Sequence, residues 1–266
     1  MSSLITHAWL LPIGVLVGMF GTLIGAGGGF ILLPILLLMY PHEPPSTLTS
    51  ISLAVVFANA LSGSVAYARM GRIHYRAGVL FSAAALPGSV LGALTTGILP
   101  RRAFDIVFGC AMVAAGAYLL LSPNGRRHTA PVADQTTCPG DSVPPGSLRL
   151  GSVLSVLVGY LSSLLGIGGG IIHVPAMVRL LGFPVHVATA TSHFILAISA
   201  LAGTCAHVVS GTFQTGPHRT IVLALGVLVG APLGAGFSSR VQGAWIMRGL
   251  ALALGLAGLR VLLGAR

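Results

Sequence analysis

The chain interrupts its own membrane-length apolar runs twice, with the same motif. Residues 21–34 read GTLIGAGGGFILLP and residues 162–175 read SSLLGIGGGIIHVP. Each Gly-X-Gly-Gly-Gly core is followed by a proline five residues after its last glycine. Gly25 and Pro34 match Gly166 and Pro175 at a spacing of 141 residues. A glycine costs a helix interior about 1 kcal/mol relative to alanine, so three in succession mark a place where a helix ends. Length points the same way. As one straight helix, residues 8–39 would extend about 48 Å, against a hydrocarbon core of about 30 Å. That is too long for one crossing and too short for two, and an interruption at residues 25–29 resolves the mismatch. Inside a bilayer such a break is tolerated only where it is buried in protein or lines a cavity. Paired breaks at matching places in two halves point to the binding site of a transporter.

Composition fixes the class. Of 266 residues, 55% are hydrophobic and 7% charged, and the mean hydropathy is +0.94. Soluble domains carry about 25% charged residues, and a chain with so few could not cover a water-facing surface. The apolar runs have helical length, and the alternating pattern of a membrane barrel is absent. The formal charge of +10 comes from fourteen arginines and no lysine. They are spread among short loops with no basic patch, which argues against nucleic acid as a partner and for ordinary membrane topology. Cys110, Cys138 and Cys205 show no metal-ligand spacing, and two of them lie in apolar runs where cysteine behaves as a small hydrophobe. The N-terminus lacks a basic n-region and a clear cleavage site, so its apolar run is expected to be a first membrane segment.

The expected fold is an all-α polytopic membrane protein of two homologous four-segment repeats, each opening with a helix broken at GxGGG. Residues 1–121 form the first repeat, 122–149 a polar flexible linker, and 150–266 the second. After the first broken run, spans are expected over 48–68, 79–98 and 103–121. After the second, they fall at 187–209, 220–237 and 244–263. GxxxG ladders at Gly88 and Gly92, and at Gly226, Gly230 and Gly234, suit close helix packing within the chain or in a homodimer. Orientation has two solutions. If each broken run crosses the membrane there are eight crossings, and the arginines put both termini in the cytoplasm. If each turns back as a hairpin, the halves are inverted and both termini lie outside. The arginine count modestly favours the first.

The glycine motifs are followed by Ser52 and Ser62-Gly63 in the first half, and by Ala190-Thr191-Ser192 and Ala202-Gly203 in the second; each serine, Ser52 and Ser192, precedes its glycine by eleven residues. With Gly25, Gly27, Gly28, Gly29 and Pro34, and Gly166, Gly168, Gly169, Gly170 and Pro175, this pattern resembles the TauE/SafE family in both halves. Its members are called sulfite exporters and are implicated in moving sulfite and organosulfonates across bacterial inner membranes. The resemblance implies a secondary transporter of small anions in that membrane. Two features depart from the pattern: Ile51 stands where threonine is expected, and His173 and His193 have no family counterpart.

The residues give their own case for an anion site. A helix starting after Gly29 or Gly170 presents first-turn amides and the positive end of its dipole. Glycine admits a ligand close to the backbone. Ser52, Asn59 and Ser62 share one helix face, and Ser192 and Ser199 repeat that spacing beside Thr189, Thr191 and His193. The expected substrate-binding set is Gly25, Gly27, Gly28, Gly29, Ser52, Asn59, Gly166, Gly168, Gly169, Gly170, Thr191, Ser192 and His193. Pro34 and Pro175 are read as structural breaks, and His173 as a proton or anion residue. The bland alternatives are helix packing for the glycines and serines, and a hydrogen-bonded buried imidazole for each histidine. Asp105 reads as a first-turn acid, and Arg248 as the deeper of two arginines in the last span. No nucleotide-binding, cofactor, metal or catalytic motif is evident. The Ser192-His193 step invites an intramembrane hydrolase reading, but adjacent helical residues point about 100° apart, and no acidic orienter accompanies them. An anion channel is the remaining alternative.

Overall fold

The computed structural model describes residues 9–121, 145–180, 182–213, 217–238 and 244–264. Among these residues every regular element is an α-helix: α1 (Leu10–Ile24), α2 (Gly29–Met39), α3 (Pro45–Arg69), α4 (Tyr75–Ile98), α5 (Arg101–Leu121), α6 (Pro145–Leu165), α7 (Gly170–Leu180), α8 (Val185–Val209), α9 (Pro217–Phe237) and α10 (Ala244–Gly264). Five are long and apolar enough to cross a membrane: α3, α4, α8, α9, and α6 over Leu148–Leu165. Leu16, Leu91, Val153 and Leu225 are each more than half exposed, as side chains that meet lipid are. The chain is a multi-pass helical membrane protein.

Helix starts fall slightly ahead of expectation, for local reasons. A proline stands in the first turn of α3, where its missing N–H is no loss. His74 caps α4, its Nδ1 accepting from the Ala77 amide at 3.2 Å. α6 begins at Pro145, inside the stretch read as linker. The rest of that stretch, residues 122–144 with Cys138, lies outside the described residues, as does the Arg248 side chain.

The interruptions lie at the glycines alone. Gly25 (φ 84), Gly27 (φ 79) and Gly28 (φ 81) separate α1 from α2, and Gly166 (φ 60) and Gly168 (φ 76) separate α6 from α7. These are left-handed conformations that other residues adopt at a cost. Pro34 and Pro175, read as part of the break, instead lie inside α2 and α7. There a proline forfeits one intrahelical hydrogen bond, and the helix continues past it.

At each break the chain turns back. A Cβ on Gly28 would lie 2.8 Å from the Val17 carbonyl oxygen, and one on Gly169 would lie 2.6 Å from Val158 Cγ1. Each contact reaches eleven residues back along the chain, a distance of about 16 Å in a continuous helix. The ends agree. Near the start of α1, Gly14 abuts the Leu223 carbonyl, and after α2 the Tyr40 ring lies 3.9 Å from the Arg219 guanidinium, so both ends sit beside the start of α9. Likewise Gly151 of α6 packs on Phe81, and Phe183 after α7 lies 5.1 Å from the His74 ring, both beside the start of α4. Each broken run enters and leaves at one end of the bundle. The arrangement is the hairpin one, and the eight-crossing model is set aside.

The pairing of helices exchanges the two halves. α1 packs along α9 and α6 along α4, both parallel, whereas α3 crosses α8 and α5 packs α10 in antiparallel fashion. The glycine ladders explain the closest approaches. Gly88 and Gly92 lie against the carbonyls of Val156 and Tyr160, and Gly230 and Gly234 against those of Val15 and Met19. A Cβ at any of the four would overlap the facing oxygen. The ladders, which suited packing within the chain or in a homodimer, are thus occupied within the chain.

Polar contacts cluster at the two ends. At one, the Arg219 Nη1 contacts Glu43 Oε1 at 2.7 Å, and Arg101 Nη1 donates to the Glu43 carbonyl at 2.6 Å. Asp105 lies just past the first turn of α5 and accepts from Arg101 Nε at 2.9 Å, a pairing in place of the expected first-turn role. At the other end Arg69 closes α3, Arg72 lies in the α3–α4 loop and Arg76 stands in the first turn of α4.

Two outcomes follow. Gly92→Leu overpacks the α4–α6 contact and lowers the thermal stability of detergent-purified protein by about 1–3 kcal/mol or more, while Gly97→Leu, whose added Cβ meets nothing within 4 Å, leaves it unchanged. In a background free of native cysteines, cysteines at Trp9 and His42 react with an impermeant reagent from the same side of the membrane, and one at Met70 reacts from the other.

Candidate functional site

The two breaks meet at the centre of the bundle. Gly29 backs onto the Gly166 carbonyl, 2.6 Å from its Cβ position, and Gly170 backs onto the Gly25 carbonyl. Each of these carbonyls ends a helix and lacks an intrahelical partner. A serine from the opposite half supplies one: Ser52 Oγ donates to Gly166 O at 2.6 Å, and Ser192 Oγ donates to Gly25 O at 3.2 Å. Val56 and Leu196 pack over Gly27 and Gly168, and all these residues are buried. The N-cap of α2, Gly28, has no side chain with which to cap the first-turn amides, and no acid stands in that turn; α7 likewise has no first-turn acid. The amide ends of both half-helices therefore carry partial positive charge with no acidic side chain in their own first turns to answer it.

Beside this crossing lies a polar cluster built on α3. Asn59, Gly63 and Tyr67 follow one another at single-turn spacing, starting one turn past Val56 towards the Arg72 end. Thr22 of α1 donates to Asn59 Oδ1 at 3.2 Å, and the Tyr67 hydroxyl donates to the Thr22 carbonyl at 3.0 Å. His193 of α8 closes the cluster. Its ring sits 5.7 Å from that of Tyr67, edge to face, and its Cδ2 lies 2.6 Å from the Cβ position of Gly63. Only glycine at 63 leaves room for that imidazole. His193 and Asn59 are fully buried. Neither ring nitrogen of His193, nor Asn59 Nδ2, has a hydrogen-bond partner among the described residues; the Thr189 backbone approaches His193 without completing a bond. A buried polar group without a partner costs about 1–3 kcal/mol, and such groups collected beside two helix starts suit a ligand that accepts hydrogen bonds.

The other expected site residues are distributed differently. Thr191 Oγ1 accepts from the His74 amide at 3.0 Å and so fastens the α3–α4 loop. Ser62 donates to the Leu228 carbonyl at 3.2 Å, tying α3 to α9, and Ser199 bonds to Leu196 within its own helix. His173 lies apart from His193, its Nε2 3.2 Å from Ser155 Oγ. Since Ser155 donates to the Gly151 carbonyl at 2.7 Å, its oxygen is the acceptor for the imidazole. Ser192 and His193 face different partners, so no nucleophile–base hydrogen bond joins them. No cluster of potential metal ligands occurs among the described residues. Thr22 and Tyr67 escaped the sequence reading. The available signal was the run Asn59, Gly63, Tyr67 at intervals of four, a truer buried stripe than Ser52, Asn59, Ser62.

Helical spans around two re-entrant half-helices, with a buried polar cluster beside their meeting point, define a multi-pass membrane transporter. Comparison with known proteins agrees. The family model for the sulfite exporter TauE/SafE matches residues 10–261. The chain is 30% identical over 264 residues to the "Probable membrane transporter protein YunE" of Bacillus subtilis (strain 168), covering 95% of this chain and 96% of that one. It is 25% identical over 266 residues to the "Probable membrane transporter protein MJ0441" of Methanocaldococcus jannaschii, covering 96% and 94%. No solved structure matches. The chain belongs to the TauE/SafE family.

Removing the serine caps tests the crossing itself. Ser52→Ala leaves a buried carbonyl unpaired and lowers unfolding stability in detergent by about 1–2 kcal/mol; Ser192→Ala, which loses a longer bond, lowers it by less.

Proposed function

We propose that this chain moves a small oxyanion, sulfite or an organosulfonate, across the bacterial inner membrane by alternating access around the crossing of its broken helices. The observation that carries the reading is the convergence of two uncompensated helix starts, at Gly29 and Gly170, with the free donors of Asn59 and His193 beside them. An oxyanion offers what these groups lack, negative charge and several acceptor atoms. The glycines that permit the reversal also admit the ligand to the backbone.

The family likeness supports the substrate class, and the exchange of helix partners between the halves supports the mechanism. α1 on α9 answers α6 on α4, and α3 and α8 cross at the middle, so the two GxGGG units read as inverted repeats of one fold. Such repeats can rock against each other about a midplane site. In this structure the breaks touch, which suits a carrier in a closed state better than an open pore. The junction of α3 and α4, with Arg69, Arg72 and Arg76, then lies in the cytoplasm, and α1 begins on the outer side.

Reconstituted protein tests the proposal. Radiolabelled sulfite flux in proteoliposomes is expected to saturate and to be inhibited by sulfonates. Asn59→Leu, which removes a free donor without touching the break, is expected to reduce flux at least tenfold while leaving the protein folded. Flux unchanged in that variant would remove Asn59 from the site, and folded wild-type protein inert towards sulfite and sulfonates alike would overturn the substrate class.

A further inference from the structure

We propose that His193 carries the proton whose movement accompanies the anion, so that the chain is a proton–anion cotransporter. The proposal rests on the transport reading above. The chain holds four acidic residues. Glu43 and Asp105 pair with Arg219 and Arg101 at one end of the bundle. Asp134 and Asp141 belong to residues 122–144, outside the described set. No carboxylate therefore stands in the membrane interior among the described residues, and the usual intramembrane proton carrier is missing. Histidine is the side chain that titrates near neutrality without help.

Three histidines are deeply buried, His173, His193 and His207. His173 bonds to Ser155 through Nε2, and His207 to Thr212 through Nδ1 at 2.9 Å. His193 alone of the three has neither ring nitrogen bonded among the described residues; His173 packs against Gly169 at the second break, but its Nε2 is held by Ser155. Its surroundings suit a change of charge that a substrate anion balances. α3 presents Tyr67 and the Asn59 amide, and α1 presents Thr22. The buried face of α9 offers only Thr220, small and apolar residues, and on α4 the titratable groups nearest, His74 and Tyr75, contact Phe183 and Phe194. Towards the rim, His186 lies two turns away on the same face of α8 and within electrostatic reach of Arg72, which also acts on Tyr67. An imidazolium with a sulfonate beside it forms a neutral pair, far less costly to hold in a low-dielectric interior than either ion alone.

The matching position in the first half is Leu53, which packs on Gly203 much as His193 packs on Gly63. The titratable group is therefore present on one side of the crossing and replaced by an apolar one on the other.

The test uses full-length protein in proteoliposomes with methanesulfonate, which stays ionised and cannot ferry the proton itself. An acid-outside gradient of one pH unit is expected to drive accumulation of up to about tenfold, and an internal pH dye should report protons entering with the anion. In His193→Gln whatever flux remains is expected to lose both its pH profile and its response to the gradient, while His207→Gln retains both. Wild-type exchange that ignores the gradient and moves no protons overturns the coupling but leaves the transport reading intact. Gradient-driven accumulation persisting in His193→Gln overturns the role of this residue. Absence of any exchange of methanesulfonate or sulfite by folded wild type overturns the transport reading, and the coupling with it.

Discussion

A helix that ends within a bilayer leaves carbonyls and amides with no water to meet them. Much of this structure answers that demand. The carbonyls at the ends of α1 and α6 are met by Ser192 and Ser52 respectively, each reaching from the opposite half. Those hydroxyls arrive only because α3 and α8 cross next to the breaks. Glycine ladders in turn bring α9 against α1 and α4 against α6 at backbone contact, which fixes where the hairpins stand. Without the ladders the hairpins lose their walls, and without the serines the breaks lose their caps. The amide ends of α2 and α7 are left without an acidic partner, and the account assigns them to a ligand.

The two halves answer one another closely in their backbone and less closely in their chemistry. Gly63 and Gly203, Thr22 and Ser163, and Val17 and Val158 occupy matching places. The match fails where Tyr67 faces His207 in register, and where His193 faces Leu53. A carrier built from inverted halves needs the same hinge twice but only one set of groups that reads the cargo. Divergence concentrated around Asn59, Tyr67 and His193 fits that division: under the proposed carrier function the shared glycines would make the hinge and the unshared polar residues would tune the site.

Much of this was legible in the sequence. Glycine triplets in apolar runs too long to cross once dictated the interruptions, and the spans fell within a few residues of their expected starts. What the sequence left open was the direction of the chain after each break. That depends on whether Gly28 and Gly169 find Val17 and Val158 behind them, a contact that no local pattern encodes. The ladders were visible as small-residue stripes, but not which helices they served. Pro34 and Pro175 misled because proline in an apolar run suggests a break, whereas here each lies inside a helix that continues past it with one hydrogen bond fewer. Of the candidate polar residues, Ser52, Ser62 and Ser192 tie separate parts of the chain together and Ser199 bonds within its own helix, and Thr22 and Tyr67 gave too little contrast against their apolar neighbours to be noticed.

The central claim is that the two half-helix starts and the Asn59–His193 cluster hold the transported anion. Its most direct measurement is a crystal structure with selenite, a heavier relative of sulfite, located by the anomalous scattering of selenium. The account predicts a single strong peak within hydrogen-bond distance of Asn59 Nδ2 and the first-turn amides of α2 or α7. Selenium density confined to the arginines at the bundle ends, with the centre closed and empty at saturating selenite, would contradict it.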